Sequence, residues 1–272
     1  MMDHRPVSLQ EARTLARDLH GLRDVAAPPT LAPGVLARVG IADSYFPLDT
    51  PIGPVYVAYN GRGISAVMRS ADGPDFERAF SHQFGRPVYP ALEAPISLRR
   101  SLAMHLEGTK RDLRFDLRGL TEFERAVLTK ALEIPRGEIR PYAWIAREIG
   151  RPRAVRAVGT ALANNPIPLF IPCHRVVRSD GIIGNYGLGG PSNKRALLEW
   201  EGVNPEEIAD LARHSARYVG SDTTGIYCFP TCRHARRVSS QHRQMFRSEA
   251  EATAAGYRPC KVCRPGPVAV GE

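Results

Sequence analysis

Five cysteines are the residues best suited to chemistry in this chain of 272 residues, and they fall into two groups. Cys173 is the single cysteine of the first 227 residues and lies in the stretch LFIPCHRVV, directly before His174. The other four form two closely spaced pairs, CFPTC at 228–232 and CKVC at 260–263, with 27 residues between the pairs. An isolated thiol beside an imidazole suggests a nucleophile. Paired thiols suggest a metal site.

The two C-terminal pairs predict a zinc site. Cysteines two or three residues apart can together bind one tetrahedral ion, and thiolates favour zinc over hard cations. A tail of about 50 residues with few large apolar side chains needs such a cross-link to fold. Disulfides are the alternative, which a reducing compartment disfavours. We therefore predict one structural zinc ion, bound by Cys228, Cys232, Cys260 and Cys263.

The neighbours of Cys173 predict a reactive thiol. His174 can accept the thiol proton, and Arg175 adds positive potential that favours the thiolate. Glu201 is placed in a later helix and can fix the imidazole tautomer. Because adjacent side chains usually point apart, we expect the proton to pass through a bridging water. The alternative is a small core residue, since isolated cysteines are often buried and inert.

Length and charge restrict the class of protein. The chain is long enough for two domains, has no apolar run of the roughly 20 residues that a membrane helix needs, and begins without an apolar signal core. We therefore expect a cytoplasmic protein. The net charge is +9, and the first 120 residues are nearly balanced, so the excess lies in the second half. A basic half suits a polyanion such as nucleic acid, although arginine makes up 33 of the 37 basic residues and genomic composition is an alternative explanation.

Pattern and turn signals divide the first part of the chain. Residues 1–45 resemble a peripheral segment with an amphipathic helix from Leu9 to Leu22. PVYVAYN, Asn60-Gly61 and ISAVM predict a β-hairpin. DFERAFSHQFG and ISLRRSLAMHLEG predict helices, and the alternation of LRFDL at 113–117 predicts a strand.

A mostly helical unit follows. Thr121 and Glu124 form a capping box before an apolar helical face. YAWIAREI and AVRAVGTALA predict two short helices of a helix-turn-helix. The second of these is built of small residues around Arg156, which suits either a buried packing helix or a groove wall. KRALLEWEG at 194–202 predicts a last helix, and EEIADLARHSARYVG predicts a helical linker.

Spaced identities then point to a known family. IPCHRVV, GNYG, RAVGTALANNP and LLEWEG resemble the O6-alkylguanine-DNA alkyltransferases, closely over 121–202 and loosely back to about residue 50. TTGIYCFPTCRHARR and AAGYRPCKVCRP resemble the zinc-binding module of Ada proteins. The resemblance implies an α+β protein with a small α/β N-terminal domain of RNase H-like type, a mostly helical catalytic domain and a small zinc-stapled domain. The corresponding boundaries are 1–45, 46–118, 119–202, a linker at 203–218, and 219–267.

The same resemblance implies a role for each matched residue. Cys173 would take an alkyl group from the O6 of guanine in DNA, irreversibly, with His174 and Glu201 as its activating pair. Asn165 would brace the active-site turn, and Tyr186 would donate to the leaving oxygen. Tyr142 would act on the guanine ring and on the backbone of DNA. Residues expected to contact DNA are Arg156, Tyr142, Ala157, Gly159 and Arg175.

Cys228 matches the Ada cysteine that both binds zinc and accepts methyl from a phosphotriester. We expect double-stranded DNA as partner, a monomer, no membrane contact and no small-molecule cofactor. We also expect the zinc module and the alkyltransferase unit to be separable.

The chain departs from the family in three places. The zinc module comes last instead of first, without the AraC-type segment of Ada, which disfavours a regulatory role. Arg136 stands where the family usually has tyrosine, so local packing and phosphate contact are both open. One extra residue lies between Tyr186 and Lys194. The alternative functions are a damage sensor without transfer, a methylation-dependent transcription regulator and a Cys-His hydrolase.

Overall fold

The computed structural model describes residues 31–91, 93–109 and 113–266, together with Gln10 and Thr14. The predicted helix from Leu9 to Leu22 lies outside the described residues, apart from those two positions. Among the described helices, none combines the length and the apolar character needed to cross a bilayer. The predicted α+β class is confirmed, with a sheet at each end of the chain and helices between them.

The N-terminal unit is a four-stranded sheet with helices packed against it. Its strands follow the order β3-β2-β1-β4, in which β1 is antiparallel to β2 and parallel to β4. The elements are α1 (Leu31–Arg38), β1 (Asp43–Leu48), β2 (Val55–Asn60), β3 (Gly63–Met68), α2 (Gly73–Phe84), β4 (Val88–Pro90) and α3 (Ile96–Leu106). The predicted hairpin and both predicted helices are present. Strand β1 spans the boundary predicted at 45/46.

The predicted strand at 113–117 is reduced to a single bridge. Phe115 pairs with Ile64, and the Asp116 N–H donates to the Ile64 carbonyl over 2.7 Å. Beyond this bridge the Arg118 N–H donates to the Asp116 carboxylate over 3.2 Å. Gly63 allows this close approach, since a Cβ at its φ of +142° would lie 2.2 Å from the Arg114 carbonyl oxygen.

The middle unit contains the predicted helix-turn-helix. Its elements are α4 (Glu122–Ala131), β5 (Arg140–Pro141), α5 (Tyr142–Glu148), α6 (Val155–Ala163), β6 (Val176–Val177) and α7 (Gly190–Trp200). The capping box of Thr121 and Glu124 is formed as predicted. Helix α7 begins four residues before the predicted start at 194, because Pro191 in its first turn is compatible with helix initiation.

The C-terminal unit is a second small sheet, ordered β10-β8-β7-β9. It comprises β7 (Tyr218–Ser221), β8 (Ile226–Cys228), β9 (Arg243–Phe246), α9 (Glu249–Ala254) and β10 (Arg258–Pro259). Between the middle and C-terminal units, α8 (Pro205–Arg213) covers the first half of the predicted linker helix. The helix ends there because Ser215 has a φ of +56°, which α-helical backbone cannot accommodate.

The C-terminal unit packs directly against the middle unit, and this differs from the predicted separability. The Trp144 indole N–H donates to the Cys263 carbonyl over 3.0 Å, and Thr231 is bonded to Ile139 over 2.9 Å. One continuous hydrophobic cluster includes Leu128 of the middle unit and Tyr218 of the C-terminal unit. Sequence patterns did not reveal this interface because its partners lie far apart in the chain.

Candidate functional site

A tight turn presents the predicted nucleophile. Cys173 opens a single 3₁₀ turn, Cys173–Arg175, between Pro172 and β6. The Asn165 amide nitrogen donates to the Ile171 carbonyl over 3.0 Å and to the Cys173 sulfur over 3.2 Å. The Asn165 side-chain oxygen accepts from the Ile167 N–H over 3.0 Å. Asn165 therefore ties the turn to the end of α6 and fixes the position of the sulfur.

Behind the cysteine lies a buried acid with two basic partners. The His174 Nε2 is 3.0 Å from a carboxylate oxygen of Glu201, at the end of α7. Arg175 donates to the same carboxylate through its Nε, over 2.9 Å, and through a terminal nitrogen, over 2.7 Å. The other terminal nitrogen of Arg175 donates to the Ile134 carbonyl over 2.7 Å. The structure thus brings the predicted pair of His174 and Glu201 into contact.

The position of Arg175 does not favour its predicted contact with DNA. Its side chain is about nine-tenths buried, and its guanidinium is bound to Glu201 and Ile134. Its positive charge is therefore compensated by the carboxylate instead of being directed at the thiol. The physical reason is burial, since a buried guanidinium requires a charged partner.

Protonation in this site follows from burial. Burial raises the pKa of Cys173, and the hydrogen bond from Asn165 and the charge of Lys194 only partly oppose this. Burial lowers the pKa of His174, against the opposing effect of Glu201. For Glu201, burial alone would raise the pKa, but the hydrogen bonds from His174 and Arg175 and the charge of Arg175 outweigh it and lower the pKa to about 2. The resting site therefore contains a neutral thiol, a neutral imidazole and a carboxylate.

Lys194 is a site residue that the sequence analysis did not identify. It is almost fully buried, its Nζ donates to the Val176 carbonyl over 2.6 Å, and it lies 5.9 Å from the centre of the Tyr142 ring. Burial lowers its pKa to about 8. Helical periodicity is the sequence signal that could have identified it. Lys194 lies on the same face of α7 as Leu197, Leu198 and Glu201 at helical spacing.

A cavity of about 240 Å³ opens at the cysteine. It is lined by Tyr142, Gly159, Leu162, Ala163, Cys173, Asn185, Tyr186 and Gly187. Within the described part of the chain, the buried Tyr186 hydroxyl and the His174 Nδ1 have no hydrogen-bond partner. Unpaired buried polar atoms are costly, so these two mark positions for a ligand or a water. The cavity is smaller than typical sites for drug-sized ligands and suits a single base.

Helix α6 has one buried and one exposed face. Val158, Ala161 and Leu162 are buried, whereas Arg156 and Ala157 are exposed in its first two turns. The helix therefore packs on one side and presents small residues on the other. Gly159, half-buried, connects this helix to the cavity.

Two departures from the family pattern lie in the catalytic unit, at Arg136 and in the loop between Tyr186 and Lys194, and both can be described from local contacts. Arg136 lies with its guanidinium 4.4 Å from the centre of the Trp200 ring and donates to the Trp200 carbonyl over 3.0 Å. Local packing therefore accounts for Arg136. In the longer loop, the Asn193 side-chain amide donates to the Leu188 carbonyl over 2.8 Å and closes the turn before α7.

The four C-terminal cysteines form one cluster. Their sulfur atoms all lie within 4.8 Å of one another, and all four side chains are buried. Zinc–sulfur bonds of about 2.3 Å place tetrahedral sulfurs about 3.8 Å apart, so the cluster fits one zinc ion. The chain binds this ion as a structural metal, which confirms the predicted cofactor.

A basic cleft of about 560 Å³ adjoins the zinc site. Cys228 and Cys260 line it, together with Arg237, Arg258 and Lys261. Cys232 and Cys263 do not line it and are fully buried. The cleft thus gives an anion access to one member of each cysteine pair.

Replacing Glu201 with Gln should strongly destabilise the protein. The variant leaves the buried Arg175 charge without a counter-ion, so we expect the free energy of unfolding to fall by about 3–5 kcal/mol near neutral pH. Urea denaturation measures this loss. The matched control is Glu199→Gln, an exposed partner of Arg195, which should change stability by less than about 1 kcal/mol.

The same pair of proteins tests the lowered pKa of Glu201. A carboxyl group whose pKa falls on folding stabilises the protein above its unfolded value and loses that contribution as the pH falls through the folded value. The stability gap between wild type and Glu201→Gln should therefore narrow as the pH falls from about 4.5 to about 2. A gap that stays constant over this range would contradict the geometry, since zinc release in acid affects both proteins alike.

Both the catalytic unit and the zinc-binding unit match known protein families. Residues 122–203 match the family described as 6-O-methylguanine DNA methyltransferase, DNA binding domain, and residues 209–266 match the metal binding domain of Ada. The methylated-DNA–protein-cysteine methyltransferase of Mycobacterium tuberculosis is 39% identical over 159 residues, which is 58% of this chain and 91% of that protein. The bifunctional transcriptional activator/DNA repair enzyme Ada of Escherichia coli is 36% identical over 171 residues, covering 61% of this chain and 47% of that protein.

Two solved structures are also similar to part of this chain. A variant of the Mycobacterium tuberculosis O6-methylguanine methyltransferase is 37% identical with a TM-score of 0.50, covering 58% of this chain and 92% of that one. The Mycobacterium tuberculosis protein in complex with DNA is 35% identical with a TM-score of 0.49, covering 61% of this chain and 98% of that one. The chain therefore belongs to the methylated-DNA–protein-cysteine methyltransferase family, and it carries in addition an Ada-type metal-binding domain.

Proposed function

We propose that this protein repairs O6-alkylguanine in double-stranded DNA by transferring the alkyl group irreversibly to Cys173. The observation that carries the proposal is the sulfur at the wall of a base-sized cavity, directly before a histidine held by a buried carboxylate. None of the five cysteines is in a disulfide, and this supports the reducing, cytoplasmic location predicted from the sequence.

The reaction is a single displacement. The Cys173 sulfur attacks the alkyl carbon, so a sulfur–carbon bond forms as the carbon–oxygen bond breaks. The electron pair of the broken bond goes to the guanine oxygen, which Tyr186 can stabilise by donating its unpaired hydroxyl hydrogen. The thiol proton leaves through His174, and guanine ultimately takes up one proton in place of the alkyl group. A thioether does not hydrolyse, so each molecule reacts once.

His174 and its partners support this route for the proton. Its Nε2 is held by Glu201, while its buried Nδ1 has no partner among the described residues. A water bound at Nδ1 would join the imidazole to the thiol, because adjacent side chains do not face each other. The carboxylate of Glu201 stabilises the imidazolium that forms. Lys194 favours the developing thiolate by its charge.

Access to the guanine requires extrusion of the base from the duplex. Exposed Arg156 and Ala157 lie on the same helix as Gly159, Leu162 and Ala163, which line the cavity. This placement supports insertion of Arg156 into the stack while the small residues of α6 lie against the groove. Tyr142, in the cavity wall, would contact the extruded base.

Mass analysis after reaction with damaged DNA tests the transfer. Duplex DNA containing O6-methylguanine should add one methyl group to the tryptic peptide AVGTALANNPIPLFIPCHR, which contains Cys173. Cys173→Ala should show none. Binding without modification would instead favour a damage sensor. Repeated turnover of an ester or amide substrate would favour a Cys-His hydrolase.

Arg156→Ala tests the extrusion step. The rate of repair in duplex DNA should fall by at least about tenfold, whereas reaction with a free O6-alkylguanine base should change less than about twofold, because only the duplex needs extrusion. Arg153→Ala is the matched control, since Arg153 is exposed just before the same helix. Equal losses on both substrates would show that Arg156 acts elsewhere.

A second activity is favoured by the basic cleft. Cys228 lies at the end of β8 and lines the cleft beside Arg237 and Arg258, which can bind the phosphates next to a neutral phosphotriester. A zinc-bound thiolate has no proton to lose and stays nucleophilic. We therefore propose that Cys228 both binds zinc and accepts methyl from methylphosphotriesters.

DNA carrying methylphosphotriesters tests this second activity. Cys173→Ala protein should gain one methyl group on the tryptic peptide YVGSDTTGIYCFPTCR, and fragmentation should place it on Cys228 instead of Cys232. The cleft residues predict this choice, because Cys232 is fully buried. Methyl found on Cys260 would show that the other accessible zinc ligand is the acceptor. If no methyl is transferred, the domain binds zinc but does not repair phosphotriesters.

A further inference from the structure

We propose that the zinc-binding unit is a positioning element of the alkyltransferase site, acting through Thr231 and its neighbours on the segment 134–139 that supports Glu201. This inference rests on the proposed transfer to Cys173 and adds residues of the C-terminal unit to that reaction. It also replaces the expectation that the two units are separable.

The first step is the support that Glu201 receives from residues 134–139. The Gly137 N–H points at a carboxylate oxygen of Glu201 over 3.4 Å, and Ile134 holds Arg175 through its carbonyl. Gly137 has a φ of +74°, and a Cβ on it would lie 2.8 Å from the Glu201 carbonyl oxygen. The segment and Glu201 are thus in close contact, so a shift of one displaces the other.

The second step is the contact of the same segment with the zinc unit. The Thr231 hydroxyl oxygen accepts from the Ile139 N–H over 2.9 Å. The Arg233 N–H donates to the Glu138 carboxylate over 3.1 Å, and Arg236 donates to the Gly137 carbonyl over 2.9 Å. Thr231 and Arg233 are the chain neighbours of the zinc ligand Cys232, so the position of the ligand determines the position of these donors and acceptors.

The contact between this segment and the zinc unit is buried, so its loss would expose or unpair buried charges. Glu138 is 2% exposed and Arg140, which binds its second oxygen, is also 2% exposed. The Arg140 guanidinium lies 5.2 Å from the centre of the Phe229 ring of the zinc unit. Without its contacts to the zinc unit, this ion pair would lose its cover and one of its hydrogen bonds.

The other pair of zinc ligands is attached to a different part of the catalytic unit. The Cys263 carbonyl accepts from the Trp144 indole, and Arg264 forms ion pairs with Glu133 over 2.9 Å and with Glu148 over 2.8 Å. Residues beside the first cysteine pair, 228/232, therefore contact residues 137–139. Residues of the second pair, 260/263, and beside it contact α5 and the turn after α4. A zinc ion joining the two pairs fixes the separation of these two anchor points.

Thr231→Val tests the coupling without changing a zinc ligand. The substitution keeps the shape and removes the hydroxyl, so the buried Ile139 N–H loses its acceptor. We expect the rate constant for methyl transfer to Cys173 from O6-methylguanine in duplex DNA to fall by about tenfold. Thr231→Ser restores the hydroxyl and should return the rate to within about twofold of wild type. Thr253→Val, on exposed α9, is the matched control and should react like wild type.

Two further readouts separate positioning from general destabilisation. Zinc content should remain one ion per chain in all four proteins. In Thr231→Val, amide hydrogen exchange should accelerate at Gly137 and Ile139 but not in the N-terminal sheet, and the His174 ring resonances in NMR spectra should shift. A Thr231→Val protein that reacts as fast as Thr253→Val would overturn the proposal. Failure of wild type to alkylate Cys173 would instead refute the proposed function itself.

Discussion

The site depends on one buried carboxylate. Glu201 accepts hydrogen bonds from Arg175 and holds His174, and all three side chains are removed from water. Charges buried in this way are stable only while every partner is in place. The turn that presents Cys173, the end of α7 and the segment 134–139 meet at this carboxylate. The geometry of the nucleophile is therefore set by an ion pair that belongs to three separate stretches of sequence.

Burial also determines the protonation state of the Cys173 thiol before it reacts. Because burial raises the pKa of Cys173 and lowers that of His174, the resting pair is neutral. Lys194 supplies the opposite influence, since its charge favours the thiolate. A base bound in the cavity would bring the alkyl carbon directly to this sulfur.

The sequence predicted the parts of this arrangement that lie close together in the chain or in recurring motifs. The capping box at Thr121, the hairpin around Asn60-Gly61 and the helix-turn-helix follow from local patterns, and the structure contains them. Local patterns failed where distant residues decide the outcome. The alternation at 113–117 predicted a strand, but the segment forms a single bridge with Ile64, and the Arg118 N–H beyond it donates to the Asp116 carboxylate. The family resemblance predicted that Arg175 contacts DNA, but its guanidinium is bound to Glu201, 26 residues away.

The interface between the two units shows the same limit on a larger scale. Thr231 and Ile139 are separated by 92 residues, and Trp144 and the Cys263 carbonyl by 119. Two recognisable modules in tandem suggest two independent functions, because each pattern is complete in itself. Yet the zinc ligands of this chain are continuous with the residues that hold Glu138 and Gly137, and Gly137 is in contact with Glu201. The residues beside the zinc ligands, the segment 137–139 and Glu201 therefore form one connected set of contacts behind the imidazole of His174.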